Sequence, residues 1–122
     1  MRLNADLMER CRPFTHGHIR VLTIKKVNLL KRTAIGLHTI EAPHIYKKDG
    51  WYYLLVAEGG TFVNHSVQMA RCKTINGDYE VCPRNPIISH RHMPLENPIS
   101  VTGHADIVET QNGEWWMVLL AV

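Results

Sequence analysis

A chain of 122 residues, 45% apolar and with a net charge of +3, has room for one modest core and not for two full domains. It holds no apolar run of about 18 residues, which excludes a helical membrane span, and Met1–Asp6 reaches charge at once, unlike a secretory leader. Three cysteines, Cys11, Cys72 and Cys82, at no metal-binding spacing argue against a disulfide-framed secreted scaffold, so a reducing, cytoplasmic setting is expected.

Charge is unevenly placed. Residues 1–40 carry eight Lys/Arg against Asp6 and Glu9, a balance of +6, while residues 41–122 carry six against nine acids, a balance of −3. A basic arm for nucleic acid is one reading. It is disfavoured because no aromatic residues interleave with the charges to stack on bases. Pro13 and His16-Gly17-His18 read as loop, and residues 19–30 lean to strand through their β-branched content. The chain divides into a basic segment, 1–36, of uncertain fold and a second part, 37–122.

From residue 40 the pattern sharpens. His44–Lys47 predicts a strand, Asp49-Gly50 a tight hairpin turn, and Trp51–Ala57 a buried strand. Ser66–Cys72 alternates, and Asn76-Gly77-Asp78 turns it into Tyr79–Cys82. If Gly77 is the hairpin tip, Cys72 and Cys82 are equidistant from it and face each other as free thiols, leaving Cys11 without a partner. Residues 83–98 form a long connection with four prolines. Asp106–Thr110 and Trp115–Ala121 are two further strands around Asn112-Gly113. This second unit repeats the first: Ile45 matches Ile107, Gly50 matches Gly113, and Tyr52-Tyr53 match Trp115-Trp116. Strand repeats at a fixed period point to propeller blades, with one blade of four strands and half of another. Half a blade leaves an unpaired sheet edge.

Glu41 precedes Ala42-Pro43, whose restricted backbone stiffens the approach to the strand. A carboxyl group held there suits a general acid, although a single Glu is more often a surface residue. If inner strands meet at a central channel, His104 lies near Glu41; otherwise it is a histidine satisfied by backbone groups. Asp106 reads as a hydrogen-bond acceptor for backbone groups. The pairs His16/His18 and His90/His92 have a spacing a metal uses on a strand, but no Cys or carboxylate cluster joins them. Gly59-Gly60-Thr61 lacks the helix of a phosphate cradle. Trp51, Trp115 and Trp116 read as core before sugar platforms.

The motifs Glu41-Ala-Pro-His44, Ala57-Glu-Gly-Gly-Thr61, Asn64-His65, Met69-Ala-Arg71, Asn85-Pro-Ile87 and Gly103-His-Ala-Asp106 resemble glycoside hydrolase family 43, in its β-xylosidase and α-L-arabinofuranosidase branch. The resemblance implies an all-β, five-bladed β-propeller of which this chain is a truncated part of about one and a half to two blades. It implies inverting hydrolysis of xylosidic or arabinofuranosidic bonds in plant polysaccharide, with Glu41 as general acid. It places Thr61, His65 and His104 around a xylo- or arabino-oligosaccharide, His104 beside a calcium or water site, with no cofactor required. Two further Asp residues of the family's site, a base and one that tunes the acid, have no match, because Asp6 is the only Asp before Glu41 and its surroundings match neither family motif. The isolated chain is therefore expected to be inactive. The reading from another class is a non-catalytic carbohydrate-binding or interaction module, which binds without hydrolysis.

Overall fold

The computed structural model describes residues 2–3, 15–20 and 40–122. Nine strands run through them: β1 (Arg2–Leu3), β2 (Thr15–Arg20), β3 (Ile40–Lys48), β4 (Trp51–Glu58), β5 (Ser66–Cys72), β6 (Asp78–Val81), β7 (Ile88–Ser89), β8 (Gly103–Glu109) and β9 (Trp115–Leu120). No helix occurs among the described residues. One sheet has the order β2-β6-β5-β4-β3, with β7 also on β5, and the other has the order β1-β9-β8. The four-stranded unit and the half unit expected from the sequence are thus present, all antiparallel.

Turn chemistry sets the registers. Asp49 (φ 49°) and Gly50 (φ 74°) both sit in the left-handed region, the geometry of the tight hairpin turn that twists with its strands, and Lys48 pairs with Trp51. The β8–β9 loop closes through Gly113 N to Thr110 O (2.9 Å) and Thr110 N to Glu114 O (2.8 Å), with Gly113 at φ 79°. The third turn departs from expectation. Gly77 N bonds Thr74 O at 3.1 Å, so the turn centres on Ile75-Asn76 and not on Gly77.

That shift separates the two cysteines. Ala70 pairs with Val81 and Arg71 with Glu80, which sets Cys72 opposite Tyr79, and Cys82 N donates to Met69 O at 2.9 Å. Cys72 packs with Leu54, Val56, Ala70 and Tyr79 on one face, and Cys82 with Tyr53, Leu55 and Met69 on the other. Cys72 is free, whereas Cys82 is disulfide-bonded, so the expectation of two facing free thiols fails. Cys11, the 36/37 boundary and the uncertain fold of the first segment lie outside the described residues. His16-Gly17-His18, expected as loop, belongs to β2, which pairs antiparallel with β6.

The core lies between the sheets. Tyr53, Leu55, Val67 and Met69 form one layer with Ala105, Ile107, Trp115 and Met117 of the second sheet. Their apolar area is the main favourable term holding the sheets together. The edge of β5 is shared: β6 pairs with Ala70 and Arg71, and β7 with Ser66 and Val67. Between them the Asn85 carboxamide accepts from Met69 N and donates to Met69 O, each at 2.9 Å. A side chain thus fills the gap in the ladder. Replacing it by Asn85→Ala strands a backbone donor in β5, and a loss of about 1–3 kcal/mol is expected in urea denaturation.

Candidate active site

The two repeat units share a construction that the sequence did not disclose. In β3 the pairing slips by one residue between Glu41 and His44, and in β8 it slips between Gly103 and Asp106. Each slip holds a residue in the left-handed region, Ala42 at φ 47° and His104 at φ 50°. Ala42 and His104 are therefore equivalents, as are His44 and Asp106. A bulge bends its strand and re-aims the side chains around it. Glu41 stands exposed at the first bulge, while His104 is half-buried at the second.

The inner strands of the two sheets are tied by a polar cluster. The Tyr46 hydroxyl donates to Asp106 Oδ1 and accepts from Ile107 N at 3.1 Å. Ile107 N also reaches Asp106 Oδ1 at 2.8 Å, and His44 Nδ1 lies 3.7 Å from the same oxygen. The hydrogen bond from Tyr46 holds the Asp106 carboxyl below the usual carboxylate range, aided by His44 and opposed by partial burial. Burial, with the Asp106 bond second, pushes the Tyr46 hydroxyl up. Asp106 accepts a backbone N–H as expected, and its tie to Tyr46 is an addition.

His65, expected against substrate, is 2% exposed, and its Nδ1 lies 3.0 Å from Val101 O. Its ring meets the His104 ring edge-on with centroids 6.5 Å apart. A Cβ on Gly103 would stand 2.3–2.5 Å from that ring, so glycine is required for the ring to lie on the β8 bulge. Thr61 is exposed on the β4–β5 loop. The loop folds back so closely that a Cβ on Gly59, at φ 89°, would meet Asn64 O at 2.2 Å.

Sequence reasoning missed the group beneath that loop. Glu58 is fully buried, accepts from Gln68 Nε2 at 2.6 Å and lies 3.7 Å from Arg91 Nη2. Arg91 Nε in turn donates to Ser89 Oγ at 3.0 Å. The signal was an acid ending the apolar run Leu54–Ala57, with Gln68 between Val67 and Met69. His90 Nδ1 engages Ile99 O at 2.5 Å and His92 is exposed. Among the described residues no three His, Cys, Asp or Glu side chains converge, so they do not themselves supply a calcium site beside His104. Trp51 is covered by cations, Arg71 at 4.1 Å and Lys73 at 3.7 Å from its ring centre, and Trp115 is buried.

Comparisons with known proteins agree with one another. The family model for Glycosyl hydrolases family 43 matches residues 15–122. The chain is 52% identical over 81 residues to a xylosidase/arabinosidase of Butyrivibrio fibrisolvens, covering 66% of this chain and 16% of that protein. It is 40% identical over 98 residues to a non-reducing end α-L-arabinofuranosidase of Bacteroides ovatus, covering 79% and 18%. Among solved structures, a xylan β-1,4-xylosidase from Bacillus halodurans superposes with a TM-score of 0.65 at 48% identity, covering 69% of this chain and 16% of that one. The chain thus spans about one sixth of the length of the curated relatives it matches.

Two variants test the site's construction. Gly103→Ala is expected to cost about 1–3 kcal/mol by overpacking against His65, and much less in a His65→Ala background; denaturation of the four proteins gives the coupling. Tyr46→Phe is expected to raise the Asp106 pKa, read by carboxyl ¹³C NMR. A depressed folded pKa adds stability above about pH 4 and loses it as pH falls through that pKa. The deficit of Tyr46→Phe should therefore be largest above pH 4 and shrink below it.

Proposed function

The chain belongs to glycosyl hydrolase family 43, a family of five-bladed β-propellers of which it covers a part, and from that premise we propose that it carries the acid half of an inverting glycosidase site. In this reading Glu41 protonates the glycosidic oxygen as the bond to the sugar breaks. A second carboxylate activates water on the opposite face, about 6.5–9.5 Å away. Acid and base suffice for this chemistry, with no cofactor. The observation that carries the assignment is the β3 bulge. It presents Glu41 to solvent one residue before Ala42, the counterpart of His104 in the twin bulge of β8, on strands already tied through Tyr46 and Asp106.

His65 fixes the ring of His104 from beneath and leaves it facing the sugar, while Thr61 offers a hydroxyl from the neighbouring loop. The substrate is a xylo- or arabino-oligosaccharide, the class that the names of the relatives share. In this scheme the base is not Asp6, the one Asp before Glu41, because its sequence surroundings match neither of the family's other acidic motifs.

The isolated chain is accordingly expected to give background turnover on aryl β-xyloside and aryl α-arabinofuranoside. Grafted over the matched segment of the Bacillus subtilis β-xylosidase, which is 49% identical over 80 residues, it should restore turnover. Glu41→Gln in that graft should lower kcat by about 10²–10⁴-fold. A folded graft indifferent to Glu41→Gln would sink the acid assignment. Saturable xylo-oligosaccharide binding by an active-site-independent route would instead favour a binding module.

A further inference from the structure

One arginine reaches both feet of the loop that carries Thr61. β4 ends at Glu58 and β5 begins at Ser66. Ile40 pairs with Glu58 and Glu41 with Ala57, so residues 59–65 leave the sheet beside the bulge that presents Glu41. The loop closes on itself through His65 N to Phe62 O at 2.8 Å. At its first foot the buried Glu58 carboxylate lies 3.7 Å from Arg91 Nη2 and accepts from Gln68 Nε2 at 2.6 Å. At its second foot Ser89 Oγ donates to His65 O at 3.2 Å. The same Oγ accepts from Arg91 N at 3.2 Å and from Arg91 Nε at 3.0 Å. Pairing of Ser89 with Ser66 in the sheet brings these groups together. Both terminal nitrogens of Arg91 are shut off from water and make no hydrogen bond among the described residues, so the Glu58 charge is what faces Nη2.

We propose that Arg91 and Glu58 are a positioning pair for sugar recognition, which clamps both feet of the 59–65 loop and fixes Thr61 relative to the rings of His65 and His104. The inference rests on the reading that Thr61 and His104 face the sugar. A buried ion pair adds little net stability over an apolar pair of like volume, because both charges give up their water. What this pair adds is direction. A guanidinium is a rigid fork, so the bond from Nε to Ser89 fixes where Nη2 meets Glu58. The two ends bear on different parts of the site. Glu58 continues directly into Gly59-Gly60-Thr61. Ser89 holds the carbonyl of His65, whose ring centre lies 6.5 Å from that of His104. Loosening the clamp therefore weakens the hold on the sugar and leaves the proton of Glu41 in place.

The test has two arms. Arg91→Lys keeps the charge and removes the fork, while Glu58→Gln keeps the shape and removes the charge. In the full 122-residue chain, both are compared with the parent by hydrogen exchange. The amides of residues 60–62 and of His65 should exchange about tenfold faster, with those of residues 54–56 unchanged, because a loop can open without the strands that flank it. In the graft described above, each substitution should raise KM for aryl β-xyloside about tenfold and change kcat by less than about threefold, the pattern of binding lost equally from ground and transition state. Failure of the acid reading shows in Glu41→Gln, whereas loop exchange needs no turnover and decides the clamp even in an inactive graft. The proposal is overturned if a folded variant of either residue leaves loop exchange unchanged, or if an active graft loses kcat without a rise in KM. Unfolding of both variants, or equal acceleration at residues 54–56, would make the pair a general prop of the fold and overturn it as well.

Discussion

The apolar layer shared by Tyr53, Leu55, Val67 and Met69 with Ala105, Ile107, Trp115 and Met117 is the constraint on which the other features rest. Among the described residues, no backbone ladder joins the sheet of β3–β4–β5 to that of β8–β9. Their relative placement depends on side-chain packing, which is non-directional and tolerates sliding better than a ladder does. The polar tie from Tyr46 to Asp106 and Ile107 adds direction at the rim of that layer. Area supplies most of the attraction, and a few hydrogen bonds select one arrangement among those that area alone would allow.

Much of the strand pattern was legible because it depends on local chemistry. Asp49-Gly50 specifies a turn through two positive φ values, and Ser66–Cys72 alternates with the period of a strand. The repeat was legible for the same reason, since both units reuse turn, aromatic pair and apolar run. The register of β5–β6 was not. Asn76-Gly77 carries a familiar turn signal, yet Gly77 closes the turn at its fourth position, and a shifted centre moves Cys72 and Cys82 to opposite faces. His16-Gly17-His18 was misread because glycine between histidines resembles loop when the partner strand β6 is not considered.

The candidate site was legible in its residues and not in its supports. Glu41 and His104 were singled out, but the bulges that present them are backbone slips, and neither carries the glycine that usually marks a left-handed position: Ala42 and His104 hold those conformations instead. The role of His65 as a buried prop depends on Gly103 in another sheet, a relation no local pattern encodes. Glu58 is the reverse case. An acid ending an apolar run was visible, but its burial became intelligible only with Gln68 and Arg91 in place around it.

Asn85 has a consequence for how the molecule ages. An asparagine side chain turns to aspartate when the backbone nitrogen of the following residue attacks its carboxamide, and that nitrogen must bear a hydrogen. Pro86 has none, so this route is closed at the Asn85 carboxamide, which both accepts from and donates to β5. Asn76 and Asn112 are each followed by glycine in exposed turns, where the same attack is least hindered. Chemical wear therefore falls first on hairpin tips, whose conversion adds negative charge to solvent-facing loops, while the side chain bridging the central sheet is spared by its neighbour.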